Sequence, residues 1–285
     1  MSSGNDPSRT AGTEAGPYRG GADHPTDGFD DERSEAVVSF SDKILDRVSG
    51  TWLGTLLNEN LVQRVDRDHR QTDRMFLRRR IVAAITLVIG SAVLAMSMAT
   101  EPGDPRFIWL TVLLALVWTG GAFASGPLHA GYIMRNEKLE RPVLQPFLLG
   151  LIAAAVFVAG ALLVAQVPFL TDAVNSVLVH ARNNPLWVIV FITLLNGLCE
   201  ELFFRGALFA AIGVKHPVAI STVVYGLATV ATLNVMLVFA ALILGFVVGL
   251  QRRVTGGVQA SMITHVTWSM TMLLVLPPLF DALAA

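Results

Sequence analysis

An all-α, polytopic membrane fold with about seven transmembrane spans follows from three features of this chain. Of its 285 residues, 53% are hydrophobic and only 15% are charged, against about 25% charged in soluble domains. The charges are unevenly placed: residues 1–80 are polar and charge-rich, whereas 81–280 are nearly all apolar. The apolar part also breaks into runs that cover, or nearly cover, the roughly 30 Å hydrocarbon core of a bilayer. A net charge of −1 supplies no basic surface, so no nucleic-acid partner is expected. The single cysteine, Cys199, excludes an intrachain disulfide and reads as apolar filler. No apolar core follows Met1 that would read as a signal peptide.

The elements follow in order. Residues 1–36 are rich in Gly, Ser, Pro, Asp and Thr. They have too little apolar surface to offset ordering entropy, and a disordered cytosolic tail is expected. Residues 37–80 form a cytosolic or interfacial amphipathic segment. Ile44, Leu45, Val48, Trp52, Leu53, Leu56 and Leu57 recur there at helical spacing. One or two helices lying on the membrane would satisfy that pattern, and so would a cytosolic docking helix. The cluster Arg74, Arg78, Arg79 and Arg80 abuts the first span and fixes topology. The spans themselves fall at about 81–100, 106–126, 143–167, 186–212, 217–232, 233–250 and 258–279. The fifth and sixth are short and joined by almost nothing, so either a tight hairpin or one broken helix fits. Residues 171–183 are too polar for a span and belong at the outer interface.

Loop charges give the orientation. Arg135, Lys138 and Arg141 lie in the second-to-third loop, Lys215 in the fourth-to-fifth, and Arg252 and Arg253 in the sixth-to-seventh. The opposite loops hold Glu101, Asp104 and Asp172, with only Arg106 and Arg182 as positives. By the positive-inside rule the N-terminus is cytosolic and the C-terminus external, in a plasma (inner) membrane.

The segment Glu200-Glu201-Leu202-Phe203-Phe204-Arg205 breaks the apolar pattern. An ionised acid at mid-membrane costs about 3 kcal/mol on an insertion scale. Two adjacent acids therefore call for a partner, a hydrated cavity or a chemical role. Glu200 and Thr229 each lie about 18 Å from the cytosolic face, and His265 about 10–12 Å. Three spans thus place polar groups in one slab. Each has a plain structural explanation alone: Arg205 as an i,i+4 partner of Glu201, Thr229 bonded back to its own helix, His265 in a helix–helix hydrogen bond. Together they can do chemistry. Glu200 could act as general base on water, and His265 could steady an oxyanion. Either could bind a metal. A stable zinc site wants three protein ligands, no second intramembrane His is at hand, and adjacent residues on a helix point about 100° apart. Glu200, Glu201 and His265 would be a minimal set, short of a tight metal site.

These residues resemble the CAAX-protease and bacteriocin-processing (CPBP) membrane proteins, which include the type II CAAX prenyl endopeptidases. EELFFRG resembles that family's first motif, EExxxR. Tyr225-Gly226-Leu227-Ala228-Thr229 stands at its second motif, an aromatic residue followed by His four positions on. His265-Val266-Thr267-Trp268-Ser269 stands at its third, His followed by Asn or a similar small polar residue. Residues 244–250 and 255–257 resemble the family's glycine-bearing helix and turn, so the resemblance runs from about 186 to 279. It implies an intramembrane endopeptidase acting on a membrane protein or peptide, with a divalent metal (zinc) as a possible cofactor. Carried over, Glu200 activates water, Glu201 and Arg205 shape the site, His265 is the surviving His, and Ser269 takes the Asn position. Thr229 replaces the motif-two His and supplies no imidazole. The alternatives are a catalytically degenerate member that acts as a membrane scaffold or partner-binding protein, and a small proton-coupled transporter.

Overall fold

A computed structural model describes residues 50–65, 71–135 and 138–284. The expected tail, and the amphipathic segment up to residue 49, lie outside the described residues. The helices are α1 (Trp52–Leu61), α2 (Asp73–Met98), α3 (Pro105–Ser125), α4 (Leu144–Val164), α5 (Pro168–Arg182), α6 (Leu186–Ile212), α7 (Pro217–Val230), α8 (Val235–Thr255) and α9 (Gln259–Ala284). Six of these, α2, α3, α4, α6, α8 and α9, are long and apolar enough to cross a membrane. The chain is thus an all-α polytopic membrane protein. The expected fifth span is the shorter helix α7, whose 14 residues reach only about 21 Å.

The bundle is held by close approaches that need small residues, as packing in lipid requires. A Cβ on Gly90 of α2 would fall 2.1 Å from the Trp118 ring, and one on Gly121 of α3 would fall 2.2 Å from the Thr86 side chain. Trp118 in turn stacks on Phe203 of α6, with ring centroids 4.7 Å apart. Phe203 and Phe204 are fully buried there, so this part of α6 lies inside the bundle. Many large apolar side chains on the other helices are exposed, as expected of surfaces that meet lipid. Trp109 and Trp187, both exposed, sit near the starts of α3 and α6, where interfacial aromatics anchor a span.

The joint between α7 and α8 is a tight hairpin, which settles an alternative the sequence left open. Leu233 turns the chain with a positive φ of 55°. Asn234 then caps α8: its Oδ1 accepts from the Met236 and Leu237 N–H groups at 2.9 and 3.0 Å. Its Nδ2 donates to the Ala173 carbonyl at 2.7 Å and to Ser176 Oγ at 2.9 Å. One side chain therefore starts a helix and ties the hairpin to α5, the amphipathic helix formed by the polar stretch near residues 171–183.

Two features at the other end of the bundle were not legible beforehand. α1 packs on α8, α4 and the β1 strand, so this part of the amphipathic segment lies against the helical bundle. Gln251 Nε2 donates to Asn60 Oδ1 at 3.0 Å, both residues fully buried. The loop between α3 and α4 contains a small antiparallel hairpin, β1 (Ile133–Arg135) and β2 (Lys138–Glu140). Its approach covers the α8–α9 turn: Tyr132 N–H donates to the Thr255 carbonyl, and the Val258 and Gln259 N–H groups donate to the His129 and Ala130 carbonyls.

Candidate active site

α6 carries the acid pair and changes form immediately after it. Residues Leu202–Leu208 form a π-helical turn, in which the Phe209 N–H bonds back to the Phe204 carbonyl, before α-geometry resumes. Such wide turns are rare and often mark functional sites. This one keeps Glu201 and Arg205 in register as an ion pair, with Arg205 Nη1 3.0 Å from Glu201 Oε1. The same Glu201 oxygen lies 2.9 Å from His265 Nδ1 on α9. A carboxylate only accepts, so Nδ1 carries the proton and Nε2 is left for the cavity. Glu201 is fully buried and Arg205 nearly so. Charges desolvated to this degree depend on one another: removing one partner of a buried pair costs about 3–5 kcal/mol.

Glu200 lies about 100° further round the helix from Glu201 and has different surroundings. The Tyr225 hydroxyl of α7 donates to its Oε2 at 2.7 Å. Glu200, Tyr225, Thr229, His265 and Trp268 all line one cavity of about 190 Å³, room for about six waters. Its remaining walls are mostly apolar, with Leu94 from α2 and Leu237, Ala240, Ala241 and Leu244 from α8. A larger hollow of about 430 Å³ between the end of α2 and the start of α3 is lined by Met96, Trp109 and their neighbours. Its one charge, Arg106, is paired with Asp104 at 2.6 Å, so it offers no comparable chemistry.

Not every expected residue reaches the cavity. Arg205 lies behind Glu201, where Nη2 donates to the Gly245 carbonyl at 3.1 Å and the guanidinium stands 4.8 Å from the Tyr225 ring centroid. Ser269 is partly exposed and outside the lining. Helical geometry puts it about 40° to one side of His265 and Trp268 about 60° to the other; the cavity lies on the Trp268 side. Thr229 is at the cavity wall, but its hydroxyl donates to the Tyr225 carbonyl at 2.9 Å. Cys199 is buried.

Sequence reasoning missed Trp268 and Leu94, which carry no signal beyond apolar periodicity. It also assigned Arg79 and Arg252 to topology alone. Both are buried. Arg79 Nη2 donates to the Pro127 carbonyl at 2.9 Å, and Arg252 Nε donates to the Arg205 carbonyl at 2.6 Å. His129, in the loop beside them, is pushed below the usual imidazole range by burial first and then by Arg252 and Arg79. Arg252 thus reaches the backbone of the Arg205 turn from outside the cavity lining.

The donor set does not fit a zinc ion. Glu201 meets Arg205 and His265 through Oε1 and lies outside the cavity lining, and the Thr229 hydroxyl is taken by a backbone carbonyl. That leaves the Glu200 carboxylate and His265 Nε2, one short of the three protein ligands a zinc site needs. Among the described residues no group of three His, Cys, Asp or Glu side chains is placed to hold a metal.

Comparison with known proteins adds one finding. Residues 182–271 match the model of a family described as type II CAAX prenyl endopeptidase Rce1-like. No curated protein and no solved structure matches the chain. The matched stretch contains the acid pair, the π turn, Tyr225, Thr229 and His265, and so the chain, an integral membrane protein by its six long apolar helices, is similar over those residues to the CAAX-type intramembrane protease kind.

Proposed function

We propose that the chain is an intramembrane endopeptidase in which Glu200 activates water and His265 assists. The observation that carries this reading is the shared cavity: an acid and an imidazole meet in a small, mostly apolar chamber, and the imidazole is oriented by a buried carboxylate. Glu200 takes a proton from the water as its oxygen adds to the scissile carbonyl carbon. When His265 Nε2 takes up a proton from solvent, Glu201 balances the imidazolium and Nε2–H donates to the developing oxyanion. As the C–N bond breaks, the proton held by Glu200 passes to the leaving amine. Arg205 holds Glu201 in place. The family description points to a C-terminal, lipid-modified peptide as substrate. Walls such as Leu237 and Leu244 suit an apolar substrate segment. The loop charges support a cytosolic N-terminus and an external C-terminus, and we place the chain in a plasma (inner) membrane.

The test is cleavage of a panel of membrane peptides by protein in nanodiscs, with products identified by mass spectrometry. Glu200→Gln is expected to lower the rate about 10²–10⁴-fold. A Glu200→Gln protein that cleaves like the wild type would remove this reading. One observation favours the second reading, a degenerate member that binds a membrane partner: the Thr229 hydroxyl is turned onto the Tyr225 carbonyl and offers the cavity no titrating group. Wild-type protein that cleaves nothing in the panel, but retains a stable membrane partner, would favour it.

A further inference from the structure

We infer that Tyr225 is a positioning residue for Glu200, and that its hydroxyl fills the gap left by the missing motif-two imidazole. This rests on the endopeptidase reading and deepens it. With Thr at 229, something else must fix the acid, because a carboxylate on an otherwise apolar wall can rotate freely about its side-chain torsions. Thr229 does not do it, since its one proton goes to a backbone carbonyl one turn away. The Tyr225 hydroxyl does, at 2.7 Å from Glu200 Oε2. Among the described residues no other hydrogen bond reaches that carboxylate. One oxygen is thereby held and the other, Oε1, is left as the edge that meets water.

The hydroxyl is itself held in position. The Tyr225 ring packs on Phe204 with centroids 4.5 Å apart, and the Arg205 guanidinium stands 4.8 Å from its centroid. Across from them lies Gly245. A Cβ there would come within 3.1 Å of both Tyr225 Cδ1 and Arg205 Nη2, so the ring or the cation would have to shift by a few tenths of an ångström. The glycine thus makes room for the ring and for the cation beside it. Phe204, Arg205 and Gly245 form a slot that aims one phenol at one carboxylate oxygen, and Phe at 225 would fill the same slot without the proton.

Three variants test this, with two readouts. Tyr225→Phe is expected to lower kcat about tenfold to a hundredfold, the range for losing a hydrogen bond to a charged group, with KM little changed. Gly245→Ala keeps the hydroxyl but displaces the ring, and is expected to lose a similar factor. The second readout needs no substrate: the infrared band of the Glu200 carboxyl, identified by its absence in Glu200→Gln, shifts in Tyr225→Phe and stays in place in Thr229→Val, because the Thr229 hydroxyl donates to a backbone carbonyl. An unmoved band and an unchanged kcat in Tyr225→Phe overturn the inference while leaving the endopeptidase reading intact. A band shift in Thr229→Val equal to that in Tyr225→Phe overturns it too. Undiminished cleavage by Glu200→Gln overturns the endopeptidase reading, and the infrared shift alone then decides whether Tyr225 holds the acid.

Discussion

At the scale of single residues, two neighbours of the same type end in opposite environments. Glu201 is buried between a guanidinium and an imidazole, and Glu200 faces the cavity with one phenol attached. The first can hold charge without meeting substrate; the second is placed to exchange a proton with water. Thr229 marks what this site lacks. Replacing Thr229→His puts a second imidazole at the cavity wall and brings the donors available there, with Glu200 and His265, to three. The expected result is no stoichiometric zinc in purified wild-type protein by elemental mass spectrometry, and a rise in metal content or in peptidase rate in Thr229→His. One zinc per wild-type chain would show that the site recruits a ligand other than those described.

At the scale of elements, helix ends and wide turns decide where side chains arrive. The π turn after Glu201 and the Asn234 cap bracket the site from two helices. Asn234 is 7% exposed, and its amide serves four hydrogen bonds at once. Asn234→Ala is expected to lower stability by about 1–2 kcal/mol, more than most exposed caps give, because the tie to α5 goes with the cap. Thermal unfolding in detergent measures it, and hydrogen exchange should show the loss concentrated in the first turn of α8. An unchanged melting temperature would mean that bundle packing alone sets the hairpin. The hairpin was legible only as one of two options, since Leu233-Asn234 reads equally as a kink. What the sequence lacked was the partner: Ala173 and Ser176 are about sixty positions away, and nothing local announces them.

At the scale of the whole molecule, the two ends of the bundle differ in chemistry. Arg78, Arg79, Arg80, Arg252 and the β hairpin gather at one end, and Glu101, Asp104 and α5 at the other. Single cysteines in a Cys199→Ala background test the orientation that follows. Lys138→Cys is expected to react with a membrane-impermeant maleimide only in inverted vesicles, and Glu101→Cys only in intact cells. The reverse pattern would invert the topology and place the arginine-rich end of the bundle outside.

The sequence by itself determined the class of fold, seven apolar runs of which six are long helices in the structure, and the motifs that bring Glu200, Glu201, Arg205 and His265 under suspicion. These follow from composition and from the 30 Å that a bilayer imposes, both properties of local stretches. It also determined that adjacent acids diverge by about 100°. Only the tertiary structure decided which acid faces the cavity, because that depends on how α6 is rotated against α7, α8 and α9. The same rotation of α9 brings Trp268 to the wall and leaves Ser269 aside. The roles of Arg79 and Arg252 were hidden for a related reason. A loop arginine reads as a charge seeking water, and its burial becomes favourable only when distant backbone carbonyls converge on it. The docking of α1 through Asn60 and Gln251 joins residues 191 positions apart, a pairing that packing of the whole bundle creates and that no periodicity records.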